Sequence, residues 1–262
     1  MTEDPKAKIE RIIAEGTNFR FGDYISRGFD IFQKDMGSFI GFTAIFIVLT
    51  MVIGFIPFIG TIANQLVVAP ALTVGFYLFA NQLDKGERPE FGTFFKGFDF
   101  VGQLALGALV MGLIIGISLV PIGIVFWKYG WSEWYMELMQ NPASPPDFRP
   151  DLPPVWSFLL LLPAIFLAVA YAWTYHFIAL YRLEFWDAME ASRKLLTKHW
   201  VAYFAFAIVT GLIASAGFIL LCVGILATLP AYMCMTYAAF ADVTKLHENP
   251  SDGDGIERHL IE

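Results

Sequence analysis

Residues 36–80 read MGSFIGFTAIFIVLTMVIGFIPFIGTIANQLVVAPALTVGFYLFA, and the stretch holds no Asp, Glu, Lys or Arg. A helix on the surface of a soluble core shows an apolar stripe. This stretch is apolar on every face, and runs of roughly 18 or more such residues read as membrane-spanning helices. Pro57-Phe58-Ile59-Gly60 is a tight, uncharged turn, so the run divides into a first span over about 36–56 and a second over about 59–80.

Further runs follow over about 102–127, 155–180, 200–221 and 225–243. The expected fold is therefore all-α: a polytopic membrane helix bundle of about six transmembrane helices. Composition agrees, with 57% hydrophobic and 16% charged residues against roughly 45–50% and ~25% in soluble domains. A soluble core of that size would leave almost no polar shell, whereas lipid can cover an apolar exterior. The charged N-terminus, MTEDPKAKIERIIAEGTNFRF, has no short apolar core with a small-residue cleavage site, so the first span is expected to serve as the insertion signal.

Between the spans, two segments are amphipathic. Over 23–34 the charges Asp23, Arg27, Asp30 and Lys34 recur at helical spacing opposite Ile25, Phe29 and Phe32. Over 184–199 Glu184, Asp187, Glu190, Lys194 and Lys198 oppose Phe185, Ala188, Met189, Ser192 and Leu196. Both are expected to lie on the membrane surface. The remainder of the polar sequence comprises an N-terminal segment 1–22, a proline-rich loop over 128–154 and a tail over 246–262 flanking the membrane domain 23–245.

Charge sets the expected orientation. Of the seventeen Lys and Arg, only Lys128 and Arg149 lie outside the segments before span one, between spans two and three, between four and five, and after six. Basic residues in short loops stay cytoplasmic. The expectation is a multi-pass protein of the cell inner (cytoplasmic) membrane with both termini cytoplasmic, the amphipathic helices on that side and the 128–154 loop outside. The chain also reads as three copies of a surface helix, a span, a turn and a returning span. Pro70, Pro163 and Pro230 fall in the returning spans, and Pro57, Pro121 and Gly224 end the first ones.

Three stretches carry a family resemblance: LDKGERPEFGTFFKGF (83–98), FWDAMEASRKLLTKHW (185–200) and AFADV (239–243). They are similar to segments of a six-helix bacterial inner-membrane family, which resembles the membrane domain attached to some glycerophosphodiester phosphodiesterases. The resemblance implies this fold and location over residues 22–245. That family has no established catalytic residues, so it assigns no role to any residue here.

The residues themselves offer little chemistry. There is no GxxxxGK[ST], no GxGxxG and no HExxH, and the two cysteines, Cys222 and Cys234, form no metal pair. No catalytic residue, metal site or cofactor is expected. A net charge of −7 disfavours nucleic acid as a partner. His176, near the inner end of span four, reads as an aromatic-belt residue or, with Asn64 and Gln65, as part of a polar pocket. Gly112 and Gly116 form a GxxxG pair suited to close helix contact, in the first instance inside the chain and otherwise with another copy. Arg27, Lys34, Arg193, Lys194 and Lys198 are candidate lipid-headgroup contacts. The function that follows is a non-enzymatic integral membrane protein engaging membrane lipids, a membrane-protein partner or a second copy in envelope function. The alternative is a transporter or channel for a small, weakly polar solute, suggested by the proline-bearing spans and the Asn64-Gln65 pair.

Overall fold

The computed structural model describes residues 5–16, 19–142, 144, 146–219 and 224–247, and among these every regular element is helical. Cys222, the turn residue Val223 and most of the expected tail lie outside the described residues. In chain order the elements are α1 (Pro5–Glu15), α2 (Phe21–Lys34), α3 (Met36–Gly54), α4 (Ile59–Ala63), a π-turn (Asn64–Val68) and α5 (Ala69–Asp84). A 3₁₀ helix (Phe91–Phe100) leads into α6 (Val101–Lys128) and α7 (Trp131–Gln140). A second 3₁₀ segment (Val155–Leu161) precedes α8 (Leu162–Ala170), α9 (Thr174–Leu180), α10 (Phe185–Lys198), α11 (Trp200–Ile219) and α12 (Ile225–Val243).

Among the described residues, five helical stretches are long and apolar enough to cross a membrane: Met36–Gly54, Ile59–Asp84, Phe91–Lys128, Val155–Leu180 and Trp200–Phe218. This is the signature of a multi-pass membrane protein. The sixth expected span, α12, falls outside that set, and its surroundings explain why. It packs against α2, α3, α5 and α11, and its residues from Cys234 to Ala241 are all buried. A helix sheathed by protein tolerates the polar groups of Thr228, Tyr232, Thr236, Tyr237 and Asp242, which lipid would not. Ala231, Ala238, Ala239 and Ala241 let its neighbours approach closely. Gly28 of α2 lies directly against Met235, where a Cβ would stand 2.5 Å from the Met235 Cα.

The chain forms two compact units, Met1–Ala108 with Ala170–Glu262, and Leu109–Val169. In the first, Asp35 ends α2 and caps α3 by accepting a hydrogen bond from Ser38 N at 3.1 Å. The turn between α3 and α4 occupies residues 55–58, two residues earlier than the expected 57–60, because Ile59 and Gly60 already belong to α4; Phe55 and Phe58 are exposed. The π-turn then precedes Pro70: proline removes a backbone donor and crowds the carbonyl four residues back, and a widened turn relieves both. The core beside it is aromatic. Phe94 of the 3₁₀ helix is stacked between Phe42, at 4.2 Å between ring centroids, and Phe79, at 4.0 Å. Gly75 and Gly97 permit this, since a Cβ on Gly75 would meet the Phe94 carbonyl oxygen and one on Gly97 that of Ala71.

The break in span four lies at residues 171–173, eight to ten residues past Pro163, which instead stands in the first turn of α8. Buried Ser192 of α10 satisfies the freed groups: its hydroxyl donates to Ala170 O at 2.8 Å and accepts from Trp173 N at 3.1 Å. The N-terminal segment contributes α1, whose buried Ile9 and Ile12 and whose Lys6–Asp187 pair (2.6 Å) dock it on α10.

The second unit holds an element the sequence reading did not anticipate. The loop expected over 128–154 begins with α7, anchored by Trp131 Nε1 donating to Asp151 O at 3.0 Å. Pro121, expected to end a span, lies inside α6, which continues to Lys128. A Cβ on Gly112 or Gly116 meets nothing within 4 Å, so the GxxxG pair makes no close internal helix contact.

Candidate functional site

A network of polar side chains in the first unit runs along α2 and joins it to the ends of α5 and α12. Asp84, in the last turn of α5, has a side chain only 10% exposed. Arg27 Nη2 of α2 donates to its Oδ2 at 2.6 Å, His247 Nε2 lies 3.2 Å from the same oxygen, and Tyr237 OH of α12 lies 3.1 Å from it. The Tyr237 hydroxyl also lies 3.1 Å from Asn81 Oδ1 and 3.0 Å from His247 Nε2. One turn further along α12, Asp242 accepts from Tyr24 OH at 2.9 Å and pairs with Arg20. Lys34 Nζ donates to Leu83 O at 3.1 Å, placing a cation at the carbonyl end of α5. These contacts tie three helices and the segment beyond α12 into one network. A low-dielectric network with most members satisfied rigidifies its surroundings.

This arrangement places the basic residues singled out from sequence. Arg27 and Lys34 hold the network. Arg193 binds Glu190 through two hydrogen bonds of 2.9 and 2.7 Å, and Lys194 approaches the same carboxylate at 3.5 Å. The bond from Arg193 holds the Glu190 carboxyl below its ordinary range, against a smaller opposing effect of desolvation. Lys198 donates to the Ile13 carbonyl of α1. Each of the five thus has an intramolecular partner. Asp84, Asn81, Tyr237 and Asp242 were not singled out from sequence, because their partners come from helices remote in the chain. An acid in the last turn of an apolar span was the available signal.

The three polar residues are not brought together. Asn64 turns its Oδ1 into the protein, where it has no hydrogen-bond partner among the described residues, and Gln65 is exposed. His176 is only 1% exposed and its ring stacks on Tyr77 (3.8 Å, 21°) and Phe240 (4.9 Å, 28°). It is therefore a core residue and not part of an interfacial belt. Neither of its ring nitrogens has a hydrogen-bond partner among the described residues. Tyr77 lies thirteen residues beyond Asn64, about 20 Å along the helix at ~1.5 Å per residue.

Among the described residues, no group of three or more His, Cys, Asp or Glu is placed to hold a metal ion. No family model, curated protein or solved structure matches this chain.

Proposed function

We propose that this chain is a non-enzymatic integral membrane protein of the inner (cytoplasmic) membrane that engages lipids or partner proteins, with both termini on the cytoplasmic side. The observation that carries the reading is the aromatic closure of the first unit. The rings of Tyr77, His176 and Phe240 stack face to face, Trp173 packs edge-on against Phe240 at 5.6 Å, and all four side chains are buried. A transport path through this level would have to displace four packed rings. The polar and charged groups instead concentrate along α2 and at the ends of α5 and α12, where a membrane protein meets headgroups and other proteins.

A cysteine scan along the π-turn and α5, from Asn64 to Phe79, tests the reading in a background with Cys222 and Cys234 replaced. Reactivity toward a water-soluble maleimide is expected to stop near Pro70. A helical-period stripe of reactivity continuing beyond Thr73 would establish a water path past the stacked rings and favour a transporter or channel.

A further inference from the structure

We infer that the hollow between the end of α5 and the first turns of the 3₁₀ helix binds a phospholipid whose headgroup carries a phosphate and a primary ammonium group. The inference rests on the lipid-engaging reading above and gives it a site and a ligand class. The hollow is about 330 Å³ and is lined by Gln82, Arg88, Glu90, Thr93 and Lys96, among others. That volume is at the small end of the roughly 300–1,000 Å³ range of ligand pockets.

Three observations converge there. Arg88 and Lys96 make no ion pair or hydrogen bond among the described residues, in contrast to Arg27, Lys34, Arg193, Lys194 and Lys198, whose cationic groups are all engaged within the chain. Two unengaged cations on one hollow suit a phosphate, the guanidinium through paired N–H donors and the ammonium as a point charge. Glu90 lies on the same rim, so the site is not simply basic. A carboxylate beside two cations repels a purely anionic headgroup and accepts hydrogen bonds from an ammonium. Gln82 adds an amide: its Oε1 accepts from buried Thr93 Oγ1 at 3.3 Å, which leaves Nε2 as its donor.

The position is right for a headgroup. The hollow lies at the end of candidate span Ile59–Asp84 and the start of Phe91–Lys128, and Phe91, Phe95 and Phe98 are each about two-fifths exposed alongside it. With three residues per 3₁₀ turn, Phe95 and Phe98 stand one above the other, beside the charged row of Lys96 and Asp99. The headgroup fills the polar hollow while its chains run over these rings. The Gly75–Gly97 crossing holds the 3₁₀ helix against α5 and so sets the shape of the hollow.

Native mass spectrometry of the full chain in non-ionic detergent, given equal amounts of phosphatidylethanolamine, phosphatidylcholine and phosphatidylglycerol, tests this. Phosphatidylethanolamine should be retained over the other two. The double variant Arg88→Gln/Lys96→Gln should lower its retention about tenfold, the equivalent of losing one or two charge-assisted contacts. Glu90→Gln should abolish the preference over phosphatidylglycerol while leaving total lipid retention near wild type. Arg88, Glu90 and Lys96 are all exposed, so the variants are expected to fold, and thermal unfolding of each checks this. Equal lipid retention by wild type and the double variant would overturn the site while leaving the lipid-engaging reading standing. No lipid retained by the wild type would overturn both. Preference for phosphatidylglycerol would overturn the headgroup assignment. Displacement of bound lipid by soluble glycerophosphoethanolamine at equal concentration would reassign the hollow to a free phosphate ester and overturn the lipid.

Discussion

Ser192 illustrates how a single side chain can decide the course of a span. The chain between Ala170 and Trp173 leaves the helix, freeing a carbonyl and an amide in a buried setting, and one hydroxyl meets both. Ser192→Ala removes that hydroxyl and leaves the two backbone groups unpaired, at a cost of about 1–3 kcal/mol. Thermal unfolding in detergent should show a lower midpoint for this variant. An unchanged midpoint would mean that the two backbone groups find other partners. His176 poses the opposite case. Its sequence position beside Trp173 and Tyr175, near Arg182, suggests a belt residue, yet its ring is a buried member of an aromatic stack. Histidine, tryptophan and tyrosine serve equally in a belt or a core, and only the packing of α5 and α12 around α9 separates the two.

At the scale of elements, the 3₁₀ helix over Phe91–Phe100 is long for its kind, since such runs seldom exceed three or four residues. Its close crossing with α5 accounts for its persistence, because Phe94 and Gly97 are fixed against α5 backbone. Gly97→Ala should therefore cost about 1–3 kcal/mol through overpacking against an immovable carbonyl. Gly102→Ala, where a Cβ meets nothing within 4 Å, should be neutral or stabilise α6 by up to about 1 kcal/mol. Unfolding midpoints of the two variants should move in opposite directions or differ clearly, and equal shifts would show that the crossing is not tight. The helix α7 was hidden for a compositional reason. The six prolines of the 128–154 loop all follow residue 141, so a reading of the whole loop averages a helix-forming half, WSEWYMELMQ, with a proline-rich half. The three prolines of the returning spans have three local outcomes: a π-turn before Pro70, a helix start at Pro163 and a helix interior at Pro230. The threefold pattern of the sequence therefore does not extend to the backbone around its prolines.

For the whole molecule, topology turns on α12. Among the described residues five stretches qualify as spans by length and apolarity, and an odd number of crossings would put the two ends of the chain on opposite sides. The nineteen residues of α12 rise about 28 Å at ~1.5 Å each, close to the ~30 Å hydrocarbon core, and protein surrounds them. The proposed orientation, with both ends of the chain cytoplasmic as the Lys and Arg distribution favours, calls for α12 to cross. Single cysteines replacing Lys85, Ser144 and Lys245, in a background lacking Cys222 and Cys234, test this with an impermeant maleimide on intact cells. Ser144→Cys should label from outside, and Lys85→Cys and Lys245→Cys only after permeabilisation. Labelling of Lys245→Cys together with Ser144→Cys would mean that α12 does not traverse the membrane.

Sequence alone determined the helical class, the position of the first five spans and of the turn between the first two to within a few residues, and the buried face of α10. All of these follow from local periodicity and from the requirement that apolar runs avoid water, which act on neighbouring residues. By contrast, α2 buries Tyr24, Gly28, Ile31 and Phe32 and leaves Phe29 of its expected apolar face exposed. Tertiary structure alone decided which charges are spent inside the protein and which remain unengaged. Arg27 and Lys34 look like headgroup ligands until Asp84 and the end of α5 are brought beside them, whereas Arg88, on a short loop, and Lys96, on the 3₁₀ helix, find no such partner among the described residues. Burial of α12 was equally out of reach, because its modest hydropathy gains meaning only when α2, α3, α5 and α11 enclose it. Pairing and burial depend on residues far apart in the chain, and no local pattern encodes which of them will meet.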